Sequence, residues 1–595
     1  MINPIRIRNL TFLVTLCMAC NSFGQNPGMI LIGSYNHNLP AGGEVEIVAP
    51  LDSLSKRLFV NLEKDNLTII DFSDPSSPDS IGNIDITPYG TLALNVAVKN
   101  SIVAVAVQGV TKQDSGKVVL FDTNGVYIND VAVGPAPGML SYTPDGRYLV
   151  VANEGVPSDD YLIDPEGGVS VIDLISGATS AVVNHIGLSD FNVGATLENS
   201  FPSGVHIYGP GATRAQDMEP EFVAVSDDSQ KAYISLQENN AVLVVDIPSA
   251  SVDTIYPLGY KDHSTTGNGL DASDQDGTIN VTVHPVYGMY QPDGLACFAI
   301  GGNSYFLSAN EGAARKYTGY TEDERISNLV LNPTNFTNIT ALQSPNNLGR
   351  LKVTTAFGDN GGDGIMDTLY SFGGRSFSIW DAETGSLVYD SGSEFESRIE
   401  LLHPSLFNSI GDPGTFDSRS DNKGPEPEDV VIGKVGSRFL AFIGLEQIGG
   451  IMVYDVTDPT APSFLLYEPS APGDFGPEAS VFINALQSPT GSPLLVVAHE
   501  TSSTLAIYEI ANNIGIQETP TEHKAHPYPN PSKSIVTIRS SSSYSSKYSL
   551  YSIFGTMLDS KKFDGSEVQI DISHLPQGTY LLKVNEVTYK IQKID

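Results

Sequence analysis

The chain has 595 residues, which is too long for one ordinary domain unless that domain is a large repetitive or closed β structure. Its 56 Gly and 37 Pro, and the lack of long Ala/Leu/Glu/Lys-rich segments, favour an all-β fold with short strands and many turns. The 69 Asp and Glu outnumber the 32 Lys and Arg, and the formal charge of -37 argues against nucleic-acid binding because such a surface repels phosphates and attracts cations.

The chain begins with a pattern typical of a secretory signal peptide. Arg6 and Arg8 precede an apolar run over residues 10–19, which predicts that residues 1–24 are removed on export. A lipoprotein signal that uses Cys20 is the alternative. No later segment has the roughly 18 consecutive apolar residues of a membrane-spanning helix.

Cysteine chemistry is limited in the mature chain. Cys17 and Cys20 both lie within the predicted signal, so that only Cys297 remains. A lone cysteine allows no intramolecular disulfide and no multi-cysteine metal site. Its setting in PDGLACFAI favours a packed strand position over a nucleophilic role.

A unit of strand, polar turn and strand recurs along the chain, and most copies end on an acidic residue. In the copy AYISLQENNAVLVVDI, from Ala232, Gln-Glu-Asn-Asn separates two runs of strand-forming residues. The other copies begin at Arg57, Val103, Tyr148, Tyr305, Thr368, Leu440 and Leu494. A recurrent β unit predicts a β-propeller, since blades that close into a ring leave no long free edge. About eight units predict seven or eight blades over residues 26–512.

Two sets of acidic residues recur at fixed places in this unit. The first set lies in the polar turn and comprises Glu63, Glu154, Glu238, Glu311, Glu446 and Glu500. The second set follows a Pro just before the strand that should be innermost, and it comprises Glu221, Asp293, Glu428 and Glu478. In a propeller both places open on the same face of the disc, so the two sets are predicted to converge there.

Converging carboxylates raise one another's pKa unless a cation neutralises them. Hard oxygen ligands at this density suit Ca²⁺ best, with Mg²⁺ or Mn²⁺ behind. The two sets are therefore predicted to bind metal. The alternative is that Asp, Glu and Asn are solvated turn residues of an acidic protein.

Two loops partly match calcium-binding loops. In GDNGGDGIMD, Asp359, Asp363 and Asp367 occupy positions one, five and nine, but Gly361 and Tyr370 stand at positions three and twelve. A calcium site and a plain Gly-rich hairpin both fit this pattern. A weaker loop of the same kind contains Asp271, Asp274 and Asp276.

Several cationic residues lie close in sequence to the acidic motifs. They are Arg315, Arg375, Arg419 and Lys423. An Arg beside a bound metal suits phosphate recognition because a guanidinium pairs with two phosphate oxygens at once. These four residues are candidate anion-binding groups, and the alternative is that they form ion pairs that balance the carboxylates. No GxSxG, HExxH or phosphate-loop motif supports a familiar hydrolase mechanism.

The repeats stop after residue 512. Residues 513–525 are polar and Pro-bearing, as expected of a linker, and residues 526–595 alternate apolar and polar positions as in a small β-sandwich. Pro529-Asn530-Pro531, Gly555 and the stretch LPQGTY from Leu575 resemble the type A sorting domain of the type IX secretion system of Bacteroidetes. This resemblance implies export through the periplasm by that machinery, to the outer-membrane surface or the medium.

The body of the chain resembles the choice-of-anchor I family, which is related to mesenchyme-specific cell-surface glycoproteins associated with biomineralisation. The matching stretches are NEGVPSDDYLIDPEGGVSVID, DMEPEFVAVS with SLQENN, FGGRSFSIWD, FDSRSDNKGPEPE and GLEQIGGIMVYDV. One departure is His499, where the family has Asn before the last Glu. The resemblance implies little about activity, although some members carry an alkaline-phosphatase label by similarity.

Three functions are compatible with these features. The favoured hypothesis is a secreted or cell-surface calcium-binding propeller that binds a surface polysaccharide, a mineral or another anionic ligand. The alternative is a metal-dependent phosphoesterase, similar to an alkaline phosphatase or phytase, in which bound metals polarise a phosphoryl oxygen while Arg375 and Arg419 hold the anion. The third hypothesis is a structural surface module without metals.

Overall fold

The computed structural model describes residues 28–37, 47–52, 56–63, 65–511, 526–528, 531–539, 546–552, 557–563, 567–584 and 587–594. The predicted signal peptide over residues 1–24 and the predicted linker over residues 513–525 lie outside the described residues, as do Pro529, Asn530 and Gly555 of the tail motifs. The chain divides into two compact units, residues 1–517 and residues 518–595.

Among its described residues, the first unit contains seven four-stranded antiparallel sheets, numbered here along the chain. Sheet 1 comprises Ile47–Asp52, Arg57–Glu63, Asn66–Asp71 and Asp79–Asp85. Sheet 2 comprises Ala93–Lys99, Ile102–Val107, Ser115–Asp122 and Tyr127–Pro135. Sheet 3 comprises Met139–Tyr142, Tyr148–Asn153, Gly168–Asp173 and Val182–Gly187. Sheet 4 comprises Val223–Val225, Lys231–Leu236, Ala241–Asp246 and Ser251–Pro257. Sheet 5 comprises Leu295–Ile300, Asn303–Asn310, Ser376–Asp381 and Leu387–Asp390. Sheet 6 comprises Pro427–Val435, Arg438–Leu445, Ile451–Asp455 and Ser463–Glu468.

Sheet 7 takes its strands from both ends of the first unit. Pro477–Ile483, Leu494–His499 and Thr504–Ile510 pair in that order, and Met29–Asn36 pairs with Thr504–Ile510 as the fourth strand. The first strand of each sheet contacts the first strand of the next, and that of sheet 7 contacts that of sheet 1. The seven first strands therefore follow one another in a cyclic order.

The middle strands are buried on both faces because a sheet packs on either side of each of them. In the strand Ala241–Asp246, Leu243 and Val245 join a core cluster with sheet 3, whereas Val242 and Val244 join a cluster with sheet 5. Successive side chains of a strand point to opposite faces. An uninterrupted apolar run such as AVLVV therefore suits this position, and the predicted all-β class is confirmed.

Sheet 5 explains why the described part of the first unit has seven four-stranded sheets although the sequence contains about eight repeat units. The strand Asn303–Asn310 pairs with Ser376–Asp381, so the units that begin at Tyr305 and Thr368 are two strands of one hairpin. Residues 311–375 are inserted between these strands. Together with the segment 260–289, which precedes sheet 5, the inserted residues form a five-stranded sheet of Tyr260–Asp262, Tyr287–Met289, Tyr370–Ser371, Lys352–Thr354 and Asp323–Arg325. The insertion also contains the strand pair Val330–Leu331 and Ile365–Met366.

Helices are few and short in the described part of the first unit. The α-helices are Arg214–Asp217, Ile339–Leu342 and Glu394–Leu402, and the 3₁₀ helices are Ala178–Ser180, Ser189–Phe191, Glu198–Ser200, Ile326–Asn328, Leu348–Arg350, Pro404–Leu406 and Pro413–Thr415. No helix of the described residues is long and apolar enough to cross a membrane.

The second unit contains two antiparallel sheets. One comprises His526–Tyr528, Ile535–Arg539 and Glu567–Asp571, and the other Met557–Phe563, Ser546–Ser552, Gly578–Val584 and Val587–Lys593. Residues of both sheets, such as Ile538 and Leu582, share one hydrophobic cluster.

Candidate metal centre

A cavity of about 950 Å³ lies among the first strands of sheets 2 to 7. Apolar side chains such as Val96, Leu140 and Val430 form part of its wall. Its acidic lining residues are Glu154, Glu221, Asp293, Glu428, Asp429, Glu478 and Glu500. The cavity therefore brings together carboxylates from both recurrent places in the repeat, the turn and the start of the first strand.

Local geometry directs these carboxylates into the cavity. Glu428 and Glu478 each follow the Pro that begins the first strand of sheets 6 and 7. Glu154 follows the second strand of sheet 3, where its backbone N–H donates to Ala136 O at 2.9 Å. A Cβ on Gly138 would lie 1.9 Å from Glu154 Oε1, so the glycine provides the space that this carboxylate occupies.

Two groups of three carboxylates have ligand atoms within 4.8 Å of one another. One group is Asp293, Glu311 and Glu428, and the other is Glu311, Glu426 and Glu446. Glu311 belongs to both groups. Its Oε1 contacts Lys423 Nζ, and its Oε2 accepts from Gln237 Nε2 at 2.8 Å. The turn residues Glu311 and Glu446 thus lie beside the cavity-lining Glu428.

Burial and neighbouring carboxylates raise the pKa of these groups. Burial first, and then the charge of Glu238, raises the pKa of Glu154 to about 8. Burial and Glu311 raise the pKa of Asp293 to about 7. Burial and like charges also raise the pKa of Glu446 to about 8 and that of Glu221, Glu428 and Glu478 well above the ordinary value. Burial and mutual repulsion thus favour the protonated form of these groups.

Several of these carboxylates have an oxygen without a hydrogen-bond partner in the described part of the chain. One buried oxygen of each of Glu221, Glu428 and Asp429, which line the cavity, is in this state, as is one of Glu238, which is not a lining residue. Glu428 is only 8% exposed and Asp429 only 5%. A buried polar group left unsatisfied costs about 1–3 kcal/mol. Unpartnered carboxylate oxygens that line a shared cavity fit the ligand preference of Ca²⁺.

The sequence Glu-Pro-Glu occurs just before the first strand of sheet 4, at residues 219–221, and at the start of the first strand of sheet 6, at residues 426–428. The second Glu of each copy, Glu221 or Glu428, lines the cavity. The first Glu of each copy pairs with an internal cation instead. Arg315 Nη1 lies 2.6 Å from Glu219 Oε1, and Lys423 Nζ lies 2.9 Å from Glu426 Oε2.

This division of roles was missed by sequence reasoning, which considered only the acid after each Pro. Glu219, Glu426 and Asp429 are therefore additional residues of the site. The repeated Glu-Pro-Glu is the signal that could have identified the first two. Asp429 had no such signal because it directly follows Glu428 in the strand.

The four predicted anion-binding residues hold internal partners. Arg315 and Lys423 pair with Glu219 and Glu426 as described, and Arg419 Nε donates to Glu426 Oε1 at 2.6 Å. Arg375 Nη1 donates to Glu396 Oε1 at 2.8 Å, and its Nη2 donates to the carbonyl oxygens of Ser420 and Asn422 at 2.8 and 2.9 Å. The four cationic groups thus form ion pairs with internal carboxylates, as the alternative interpretation predicted.

Lys423 occupies the group formed by Glu311, Glu426 and Glu446. Its ammonium contacts Glu311 Oε1 and Glu426 Oε2. Although burial opposes it, the charge of these two carboxylates raises the pKa of Lys423. An internal ammonium therefore already compensates this group. In the other group it contacts Glu311 alone, and Asp293 and Glu428 have no ion pair among the described residues.

The loop residues Asp359, Asp363 and Asp367 do not line the cavity. Asp359 accepts backbone N–H bonds from Gly362 and from Gly364, both at 2.7 Å. Asp367 Oδ1 accepts from Asn332 Nδ2 at 2.7 Å. These contacts are those of a closed Gly-rich turn, and calcium binding by the loop stays a prediction.

Two family profiles match the chain. The choice-of-anchor I domain matches residues 47–459, and the secretion system C-terminal sorting domain matches residues 526–594. Gigasin-3a of Magallana gigas is 34% identical over 193 residues, which cover 29% of this chain and 68% of that protein. The mesenchyme-specific cell surface glycoprotein of Strongylocentrotus purpuratus is 26% identical over 318 residues, which cover 47% of this chain and 41% of that protein.

Solved structures similar to this chain have low sequence identity. Kuenenia stuttgartiensis hydrazine synthase has a TM-score of 0.41 and 14% identity, and covers 80% of this chain and 98% of its own. The Cps50 (Swd1) β-propeller domain of Myceliophteria thermophila has a TM-score of 0.38 and 9% identity, with coverages of 80% and 100%. U3-55K has a TM-score of 0.41 and 8% identity, with coverages of 81% and 98%.

Proposed function

Because the chain belongs to the choice-of-anchor I family and ends in a secretion-system sorting domain, we propose that it is a secreted or cell-surface calcium-binding β-propeller that binds an anionic ligand. The sorting domain directs the chain through the type IX system to the cell surface or outside. Calcium is plentiful there, and extracellular calcium modules commonly have dissociation constants of about 10⁻⁴–10⁻³ M.

We interpret the seven four-stranded sheets as seven propeller blades. The cyclic order of their first strands supports this interpretation, as does the pairing of Met29–Asn36 with the last sheet. A strand from the start of the chain that completes the last blade holds the two ends of a ring together. The two C-terminal sheets, which share one core, are interpreted as a small sandwich.

The observation that carries the proposal is that buried oxygens of Glu221, Glu428 and Asp429, which line one cavity, have no hydrogen-bond partner among the described residues. A site built only for hydrogen bonds would supply donors to these oxygens, because unsatisfied buried acceptors are costly. A divalent cation would compensate both the missing contacts and the excess negative charge. Asp293, Glu311 and Glu428 are the proposed ligands, with the unpartnered oxygens of Glu221 and Glu238 beside them.

The bound ion would give this acidic protein an attachment point for anions. A chain with a formal charge of -37 repels carboxylates, sulfates and phosphates in general. Calcium held among protein carboxylates accepts further oxygen ligands, since it takes six to eight in all. An acidic surface polysaccharide or a calcium mineral surface is the proposed partner. The similarity to a cell surface glycoprotein is consistent with this proposal.

Ligand binding accounts for the contacts better than phosphoester hydrolysis does. The phosphoesterase hypothesis needs Arg375 and Arg419 to hold the substrate anion, yet both donate to internal acceptors. Among the described lining residues of the cavity there is no Cys or His, and the two serines are Ser141 and Ser480. The carboxylates remain as metal ligands, which both hypotheses share.

Retention on immobilised chondroitin sulfate is expected to require calcium. In millimolar calcium the purified protein should be retained, and in EGTA it should elute at once because charge repulsion is then uncompensated. The same preparations should not hydrolyse p-nitrophenyl phosphate or bis(p-nitrophenyl) phosphate. Calcium-dependent turnover of either ester would support the phosphoesterase hypothesis, and retention unaffected by EGTA would contradict a calcium-mediated contact.

A further inference from the structure

A second oxygen-rich cluster lies where the loop 271–280 meets the segment 408–420, and its residues do not line the central cavity. Asn408 is fully buried and Asp417 is 2% exposed. Ser420 joins them, since Asn408 Nδ2 donates to Ser420 Oγ at 2.8 Å and Ser420 Oγ donates to Asp417 Oδ1 at 2.5 Å. The remaining oxygens, Asn408 Oδ1 and Asp417 Oδ2, have no hydrogen-bond partner among the described residues.

The Asp417 carboxylate faces an acidic loop. Burial raises the pKa of Asp417 to about 7, and the charges of Asp271, Asp276 and Asp274 add to the effect. Asp274 is compensated, because Arg350 Nε and Nη2 donate to its two oxygens at 2.8 Å each. Asp271, Asp276 and Asp417 remain as carboxylates for which no ion pair is found in the described chain.

The nearby cations are already committed elsewhere. Arg350 also contacts Asp421 Oδ2 at 3.0 Å. Arg375 donates to the backbone oxygen of Asp271 at 2.7 Å, but its charge is paired with Glu396. The cluster thus combines unpartnered buried oxygens with negative charge that no described side chain compensates.

We propose that a divalent cation, calcium in the extracellular setting, binds in this cluster with Asp417 Oδ2 and Asn408 Oδ1 as ligands and with Asp271 and Asp276 supplying further charge. Carboxylate and amide oxygens are the ligands that calcium takes in proteins. A buried water could donate to the same two oxygens, but it would leave the three carboxylates uncompensated.

This site has a structural consequence distinct from ligand capture. The loop 271–280 belongs to the segment between sheets 4 and 5, and the segment 408–420 follows the helix Glu394–Leu402. An ion bound by both would hold the loop 271–280 against the segment that leads into sheet 6. The site shares no carboxylate with the central cavity, so each can fail without the other.

Hydrogen exchange measured by mass spectrometry on the full chain locates the effect. With calcium at ten times the dissociation constant, amides in peptides covering 270–280 and 407–420 should exchange about tenfold more slowly than in EGTA, because the ion must leave before this region opens. Asp417→Asn should lose this protection, since it removes a ligand charge but keeps the acceptor for Ser420. Asp412→Asn, a matched change at an exposed position of the same segment, should keep it.

A further variant tests whether this site binds calcium independently of the central cavity. Glu428→Gln should leave the calcium protection of both peptides unchanged, whatever it does to the cavity. Equal exchange in calcium and EGTA for the wild-type protein would overturn the proposal. So would full calcium-dependent protection in Asp417→Asn, which would mean that the calcium effect does not require Asp417, or loss of protection in Glu428→Gln.

Discussion

Without divalent cations, the purified protein is expected to lose stability as the pH rises from about 5 to 8. Glu154 and Glu446 have pKa values raised to about 8, and Asp293 to about 7. In this range the folded chain keeps protons on groups that ionise when the chain unfolds. Unfolding is then favoured as the pH rises, until the folded groups also ionise. Each pKa unit of displacement corresponds to about 1.4 kcal/mol per group.

Calcium should oppose this loss. It binds the ionised carboxylates and releases their protons, so its stabilising effect grows with pH. The measurement is the melting temperature at pH 5, 6, 7 and 8, in calcium and in EGTA. In EGTA the melting temperature should fall across this range, whereas in calcium the fall should be removed or reversed.

Two other effects of pH are distinguishable from this one. Exposed residues such as Asp74 and Asp85 have pKa values lowered by hydrogen bonds, so their contribution is lost only below about pH 4. General repulsion between surface charges is screened by 0.5 M salt, whereas buried carboxylates are screened much less. A melting temperature in EGTA that is the same at pH 5 and pH 8, at both salt concentrations, would contradict the raised pKa values.

Glu428→Gln is expected to weaken calcium binding at the cavity at least tenfold. Glu428 contributes one oxygen to the group with Asp293 and Glu311, and its buried Oε2 has no hydrogen-bond partner among the described residues. The amide keeps the shape and one oxygen but removes the charge that a divalent cation needs. A loss of about 1.4 kcal/mol in binding corresponds to a factor of ten.

The same substitution should stabilise the calcium-free protein at pH 8. It removes a buried carboxyl group that must either take up a proton or lose free energy through the burial of its charge. Isothermal titration with calcium and melting in EGTA measure the two effects. Glu383→Gln is the matched control, since the Glu383 side chain is 67% exposed on a turn of sheet 5. Wild-type calcium affinity in a folded Glu428→Gln variant would remove this residue from the site.

The strand pattern and the convergence of the acids could be predicted because both depend on local repetition. The hairpin around Glu238 follows from two apolar runs separated by four polar residues, and the structure has strands at Lys231–Leu236 and Ala241–Asp246. The unit count was less certain, because an insertion over residues 311–375 separates two strands of one hairpin. Sequence order alone does not reveal such a pairing.

The partners of the cationic residues could not be predicted in the same way. Arg375 pairs with Glu396, and Arg315 pairs with Glu219, which lies far from it in sequence. Proximity in sequence to acidic motifs suggested an anion site, but distant pairing in the folded chain decides which charges are compensated. The predicted family and export route are confirmed, because both rest on long stretches of matching sequence.

The most direct test of the central claim is to locate the metal itself. Crystals of the protein grown with calcium replaced by Mn²⁺ would give an anomalous difference signal at the metal. The account predicts a peak in the central cavity within coordination distance of Asp293, Glu311 and Glu428. A cavity that holds only water at millimolar Mn²⁺ or Ca²⁺, with its carboxyl groups hydrogen-bonded to one another, would contradict it.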